Sequence, residues 1–319
     1  MTLVTDSPPA VLKRRRLSGR TEPRGSQTGF SVWGAVLFGF VFVAVGSLIV
    51  LVGRRIIPVD PSGVHAPWWV LTVAGISFAG GGLAVWGMAA RQQRAEHYRR
   101  GALRRYAGSS AHADHPWNPA GERSRPWPRA GKAILGAAFL TVFLSMFNWW
   151  AWGPEGPGMV KVVVTIFDLI LVLVWWQAVV RVGQALKFAS SRVVFDRFPY
   201  SLDKPVAIRW IPPRGVGPST KGEFTLRCVE EFYEERGSGK DRSKHLVHEE
   251  ICAETQAFDH TQSFAPGRPV EFRFTLPEGA PSTALSALKP VFWEFEVKLG
   301  MPGFDFEEQY LIPIYSSGA

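Results

Sequence analysis

The sequence predicts an α-helical membrane protein of four transmembrane helices, followed by an all-β domain, an antiparallel β-sandwich at the C-terminus. Three observations carry this. Four long apolar runs precede Ser190, and the last of them, residues 159–189, organises the chain as the final span. Beyond Ser190 the hydrophobic period changes to two, the period of a strand with one face on a core. Charge divides at the same place. Residues 1–189 hold 21 Lys+Arg and 8 Asp+Glu, a net of +13, whereas residues 190–319 hold 15 and 19, a net of −4. A chain of 319 residues has room for two units.

Residues 1–28 are rich in Pro, Ser, Thr and Arg and lack an apolar period, which predicts a disordered basic tail. Within it Arg15-Arg16-Leu17-Ser18 has the form of a phosphorylation site, and a stop-transfer role for the basic cluster is the expected one. Residues 29–189 form the predicted four-helix domain. Runs at 30–52, 67–90, 132–152 and 159–189 are each long enough to cross about 30 Å of hydrocarbon. The first is too long, and lacks the small-residue cleavage site, to be a signal peptide. Trp68, Trp69 and Trp86 on the second span, and Trp149, Trp150 and Trp152 on the third, are placed as aromatic belts. The second span is small at its centre. Ser77 and Gly81, or Gly80 and Ala84, stand four apart, so a neighbouring helix can approach. Packing within the chain is the expected use, with a homodimer as the alternative.

Residues 91–131 form a predicted basic cytoplasmic loop. Its first part, with Arg91, Arg94, Arg99, Arg100, Arg104 and Arg105, continues the second helix into the layer of anionic lipid headgroups. These clusters flank apolar spans rather than line a folded face, which argues against nucleic acid as a partner. Basic residues concentrate in the tail, in 91–132 and after the fourth span. That bias places both termini in the cytoplasm of a multi-pass protein of the cell's inner (cytoplasmic) membrane, with Arg54 and Arg55 as the discordant pair.

From Ser190 the alternation predicts seven strands, at 192–196, 204–211, 222–235, 245–258, 269–276, 291–301 and 305–315. Pro313 makes the last an edge strand or its irregular end. The hairpin centred near residue 240 sets Cys228 opposite Cys252, and a cytoplasmic location keeps both reduced. Gly237-Ser238-Gly239-Lys240 lacks the upstream glycine and the following helix of a phosphate loop, so it reads as a polar hairpin tip.

Candidate functional residues are few. Asp168 sits well inside the fourth span, where a carboxylate costs about 2.5–3.5 kcal/mol and must face protein. Ser145 or Thr141 on the third span is its expected partner, with Asn148 slightly further out. Either an inter-helix hydrogen bond or a proton relay accounts for it. Glu230, Glu231, Glu234, Glu235, Glu249, Glu250 and Glu254 read as solvated strand faces. The histidines 112, 115, 245, 248 and 260 lack the spacing of a metal site. No nucleophile–base set is present in the pattern, so no cofactor, no metal and no enzymatic activity are expected.

The fragment Val270-Glu-Phe-Arg-Phe-Thr-Leu-Pro277, then Pro281-Ser-Thr283, then Val291-Phe-Trp-Glu-Phe-Glu-Val-Lys-Leu299 resembles the arrestin-type sandwich, which implies an arrestin- or immunoglobulin-like β domain. The whole layout is similar to uncharacterised bacterial four-span membrane proteins with a C-terminal β domain. Ile57-Pro-Val-Asp-Pro-Ser-Gly-Val-His-Ala-Pro67, Phe147-Asn-Trp149 and Phe198-Pro199 carry that similarity, and the family implies no activity. The expected function is therefore a non-enzymatic membrane scaffold or adaptor whose cytoplasmic sandwich binds a protein partner by strand addition. The expected contacts are Glu234, Arg236, Lys240 and Lys244 at the hairpin, and Leu311 and Tyr315 at the edge. The alternative is a transport or proton-coupled protein using Asp168, with the sandwich regulatory.

Overall fold

The computed structural model describes residues 14–20, 22–25, 32–59, 66–105, 110–154, 156–188, 190–237 and 243–316. Lys240 and the N-terminal residues up to 13 lie outside them, as do the side chains of Arg99, Arg104 and Arg105. The elements are β1 (Arg15–Leu17), α1 (Val32–Gly53), α2 (Trp68–Arg105), α3 (Ser110–Asp114), β2 (Glu122–Arg123), α4 (Pro126–Ala151) and α5 (Gly158–Phe188). They continue with β3 (Arg192–Phe195), β4 (Tyr200–Ser201), β5 (Val206–Ile211), β6 (Lys221–Arg236), β7 (Ser243–Phe258), β8 (Val270–Phe274), β9 (Val291–Gly300), β10 (Phe306–Ile312) and β11 (Ile314–Tyr315). Contacts divide the chain into a helical unit, Phe30–Arg94 with Trp127–Gly183, and a β unit.

Four helices, α1, α2, α4 and α5, are long and apolar enough to cross a membrane. Together with the antiparallel sheets they fit a membrane protein with a β domain. In the helical unit, α1 and α2 touch backbone to backbone. Gly39, Gly46 and Gly53 recur every seven residues on α1 and are its buried positions. A Cβ on Gly46 would lie 2.5 Å from the Gly75 carbonyl oxygen and the Ala79 nitrogen, and one on Gly82 2.5 Å from the Gly39 carbonyl. Small residues are required there because any larger side chain would meet the backbone of the other helix. The close approach uses Gly75, Ala79 and Gly82 of α2 rather than the expected pairs Ser77/Gly81 or Gly80/Ala84, since a Cβ on Gly80 or Gly81 would meet nothing within 4 Å. Trp86, read as a belt residue, instead donates its indole N–H to Val36 O at 3.0 Å. α2 has 38 residues. At 1.5 Å per residue that is about 57 Å, well beyond a hydrocarbon core of about 30 Å, so its arginine-bearing last turns are surplus to a crossing.

The β unit holds two principal sheets. One has the order β1-β7-β6-β9-β10 and the other β2-β3-β5-β8, both antiparallel, and β11 pairs with β4 in parallel. The core lies between their inner faces. Ile208 and Trp210 of β5, and Phe272 and Phe274 of β8, meet Phe224 and Leu226 of β6, Phe295 of β9 and Tyr310 of β10, all at most 1% exposed. Each such side chain contributes about 1.5–3 kcal/mol by leaving water. All seven predicted strands are present within a few residues of their expected limits. Pro313 divides the last. Lacking an N–H it cannot continue the ladder, and its carbonyl accepts from Tyr200 N at 2.8 Å, so the chain passes from β9 to β4 as its neighbour.

Three expectations are corrected. The tail is not structureless throughout, since Arg15–Leu17 is a strand on the edge of β7. The basic loop is not only a lipid-facing connection. Ala95–Pro126 belongs to the β unit, where β2 pairs with β3 and Asp114 accepts from the N–H groups of Leu285 and Ser286 at 2.8 and 2.7 Å. The outer face of the five-stranded sheet is not a wet face. Val229, Leu285, Phe292 and Leu311 form a second apolar cluster there, with Leu17 and Trp117 packed against it.

Candidate functional site: an acidic sheet face seated by an arginine segment

β1 alternates as a strand must. Arg15 and Leu17 face the covered side of the sheet, and Arg14 and Arg16 the other. Its register sets Arg15 against Glu250, Arg16 against Glu249 and Leu17 against His248. Arg14 lies 3.1 Å from Glu249 and 3.4 Å from Glu230, and Arg15 lies 3.4 Å from Glu250. Arg16 meets Glu234 through both guanidinium nitrogens, at 3.1 and 3.3 Å. Arg16 holds the Glu234 carboxyl below the ordinary carboxylate range, and Arg236, 3.0 Å away, adds to this.

Past Leu17 the segment turns onto the covered face. Arg20 pairs with Glu294 and lies 3.7 Å from Glu296. Arg227, projecting from the middle of β6, reaches Glu250 at 3.4 Å and Glu294 at 3.2 Å and also pairs with Glu296. Glu296 further accepts from Gln309 at 2.8 Å and pairs with Lys298 at 3.2 Å. Burial pushes the Glu296 carboxyl up, but Arg227, Gln309 and Lys298 together outweigh it and leave it below the usual value. Glu231 accepts from the backbone N–H of Arg24 at 2.7 Å and of Gly25 at 3.2 Å, and its other neighbour is His248 Nε2 at 3.1 Å. Glu231 and Glu294 are each 1% exposed. Glu231, Glu250, Glu294 and Glu296 thus lie on the covered face and Glu230, Glu234 and Glu249 on the other, and the sheet's own cations beside these seven carboxylates are Arg227, Arg236 and Lys298. The N-terminal segment supplies the remaining positive charge.

The pattern misled here in a specific way. Alternation correctly put Glu294 and Glu296 on the face away from the core. It could not say that another part of the chain lies over that face. The available signal was the run Arg14-Arg15-Arg16 in a tail facing an unusually acidic pair of strands.

The remaining candidates are placed as follows. Leu311 and Tyr315 are 6% and 3% exposed, so they offer no open edge. The Leu311 N–H donates to Glu122, and Tyr315 Oη donates to Asp114 at 2.9 Å while accepting from Trp117 Nε1 at 3.0 Å. Burial, reinforced by Asp114, pushes the Tyr315 hydroxyl far up. Burial lowers His115, against the pull of Asp114. Arg236 is tied to Glu234, and Lys244 is exposed at the start of β7. Arg91, Arg94 and Arg100 are exposed on α2, and Arg100 pairs with Glu96 one turn back at 3.7 Å. Asp168 accepts from Asn148 Nδ2 at 2.8 Å, which makes Asn148 its partner rather than Ser145 or Thr141. Ser145 donates to Val142 O, and Thr141 donates to Ala137 O while accepting from Trp175. Depth along the span was a good guide to which helix Asp168 ties to, and a poor one to which turn. Cys228 and Cys252 are paired in register, buried and unbridged, and burial pushes the Cys228 thiol well up.

An open groove of about 700 Å³ lies at the far end of the sheet, lined among others by Lys221, Glu223, Asp259, Lys298, Asp305 and Glu307. Its charges are of both signs and do not converge. Among the described residues there is no group of three or more His, Cys, Asp or Glu able to hold a metal ion.

No protein-family model and no curated protein matches the chain. Among solved structures it is similar to the crystal structure of Spo0M, a sporulation control protein from Bacillus subtilis. The identity is 19% and the TM-score 0.27, over 40% of this chain and 49% of that one. The chain therefore spans about half the length of that structure.

Proposed function

We propose that this protein is a non-enzymatic integral membrane adaptor that holds its β-sandwich at the cytoplasmic face of the inner membrane for protein–protein interaction. The interaction is strand addition at the outer edge of β7. One observation carries the reading: β1 is already an added strand on that edge, with backbone pairing over three residues and arginine–carboxylate pairs on both of its faces. β7 is 16 residues long, and its start at Ser243–His245 is exposed. Exposed strand edges template the pairing of another chain, and pockets and charges beside them set specificity. The Asn148–Asp168 hydrogen bond supports a structural tie between α4 and α5 rather than a transport pathway.

The test is site-directed photo-crosslinking in intact membranes. A photoreactive residue replacing Lys244 on the β7 edge traps a discrete protein adduct, and one replacing exposed Leu288 does not. Adducts absent from both positions, or identical at both, contradict the reading. Protease protection of a C-terminal tag, lost only on lysis, checks the sidedness.

A further inference from the structure

We infer that the partner accepted by the β7 edge presents an extended, arginine-rich segment, and that the chain's own residues 14–20 and 22–25 hold that site until it arrives. This rests on the reading of the β7 edge as a strand-addition site.

Charge is the first argument. The two faces of the sheet around the β7 edge carry the seven carboxylates described above against Arg227, Arg236 and Lys298, and Glu231 and Glu294 are buried. Buried carboxylates need cations and N–H donors, so an empty face is unfavourable and whatever covers it must be basic. Arginine suits the positions better than lysine. The Arg16–Glu234 pair is fork to fork, and Arg20 lies against two carboxylates, Glu294 and Glu296.

The present occupant is also replaceable. Its ladder covers His248–Glu250 of a 16-residue strand. The side chains of Arg14, Arg15 and Arg16 are 65%, 66% and 55% exposed, and exposed ion pairs contribute little each. A longer strand in trans can repeat these pairs and also run along Ser243–Val247. What favours the resident segment is that it is tethered, since a linked segment acts at a high effective concentration. A cavity of about 360 Å³ lies between Arg15–Arg20 and Arg227, Glu296, Lys298, Glu307 and Gln309.

The experiment uses the full chain in detergent and a fluorescent synthetic peptide of residues 13–25 as the probe, read by anisotropy. The variant Arg14→Ala/Arg15→Ala/Arg16→Ala weakens the resident strand and leaves the buried Arg20 pair. It is expected to bind the peptide at least ten-fold more tightly than the unaltered protein, with affinity falling as salt is raised. A peptide with every arginine changed to lysine is expected to bind at least five-fold more weakly. Adding Glu234→Gln and Glu249→Gln, which lie outside the Arg227 network, to the variant is expected to abolish binding, with an unchanged melting transition as the check on folding. Equal affinity of the unaltered protein and the variant, or equal affinity of the arginine and lysine peptides, overturns the proposal. If the Lys244 adduct forms and the peptide result fails, the edge is a docking site of different chemistry. If the adduct fails too, the docking reading itself falls. A dimer of the unaltered protein, seen by light scattering and lost in the Arg14→Ala/Arg15→Ala/Arg16→Ala variant, also overturns it in favour of a second copy as the occupant.

Discussion

The guanidinium of Arg16 lies fork to fork on the carboxylate of Glu234, 218 residues further along the chain. That pair helps join the N-terminal segment to the β6–β7 hairpin, with the Arg14 and Arg15 pairs and the β1–β7 ladder. It explains why a run of three arginines that resembles a stop-transfer signal is a piece of sheet.

Acid should release the segment. Glu234 titrates below its usual 4.5 in the folded protein, chiefly because Arg16 favours its charged form. A depressed carboxylate contributes stability that is present above the unfolded value and is lost as pH falls through the folded one. Glu296, also depressed on balance, acts with the same sign. Spin labels on Ser18 and Lys244 should hold one distance from pH 7 down to the ordinary glutamate range, then broaden to longer distances below it. Broadening that begins above pH 6 would point to another group.

Arg227 should be far more costly to lose than any surface arginine. It is 5% exposed and pairs with three carboxylates. Removing one member of a buried charge network costs about 3–5 kcal/mol, because the remaining charges stay buried. Arg227→Met should lower the thermal stability of the β unit accordingly. Arg20→Met/Arg227→Met/Glu294→Leu/Glu296→Leu, which also removes the cation that Glu294 and Glu296 hold, should recover much of the loss. A quadruple variant worse than the single one would contradict this account of the network.

Gly46→Val should prevent α1 and α2 from packing. A Cβ there meets backbone atoms of α2 at 2.5 Å, which cannot yield as a side-chain end can. Gly80→Ala, where a Cβ meets nothing within 4 Å, is the matched control and should accumulate normally. Membrane extracts probed for folded protein by thermal retention in detergent would separate the two.

Asp168→Asn should be tolerated, since an amide can still accept from Asn148 Nδ2. Hydrogen bonds between membrane helices contribute about 0.6 kcal/mol on average. Asn148→Leu removes the donor and leaves the carboxyl in an apolar setting, so it should destabilise more than Asp168→Asn. The reverse order in a thermal-retention assay, or an ion flux abolished by Asp168→Asn at normal accumulation, would favour the relay reading.

Legibility in the sequence followed the range of the interactions. The four apolar helices, the seven strands and the Cys228–Cys252 register come from local periodicity, and periodicity is printed in consecutive residues. β4 and β11, two residues each, are too short to show a period. β1 and β2 are also short, and their partners lie 235 residues away for Arg15–Glu250 and beyond two helices for Glu122–Val193. The burial of Glu294 and Glu296 is a tertiary fact of the same kind, because alternation assigns a face and not what covers it. The Asp168 tie was legible as to helix because depth along a span is local, while the choice of Asn148 depended on how α4 and α5 are rotated.

The central claim is that residues 15–17 are a strand of this sheet and occupy the β7 edge. Arg16 and Glu249 are directly opposed in the register, at a spacing a disulfide can bridge. The variant Arg16→Cys/Glu249→Cys, made in a Cys228→Ala/Cys252→Ala background and oxidised in membranes, should form an intramolecular disulfide. It should be located by mass spectrometry in the peptide joining the two positions. The shifted pair Arg16→Cys/Ala253→Cys should not form one. A cross-link that fails at 16–249, or forms equally at 16–253, would mean that the segment is not seated on β7.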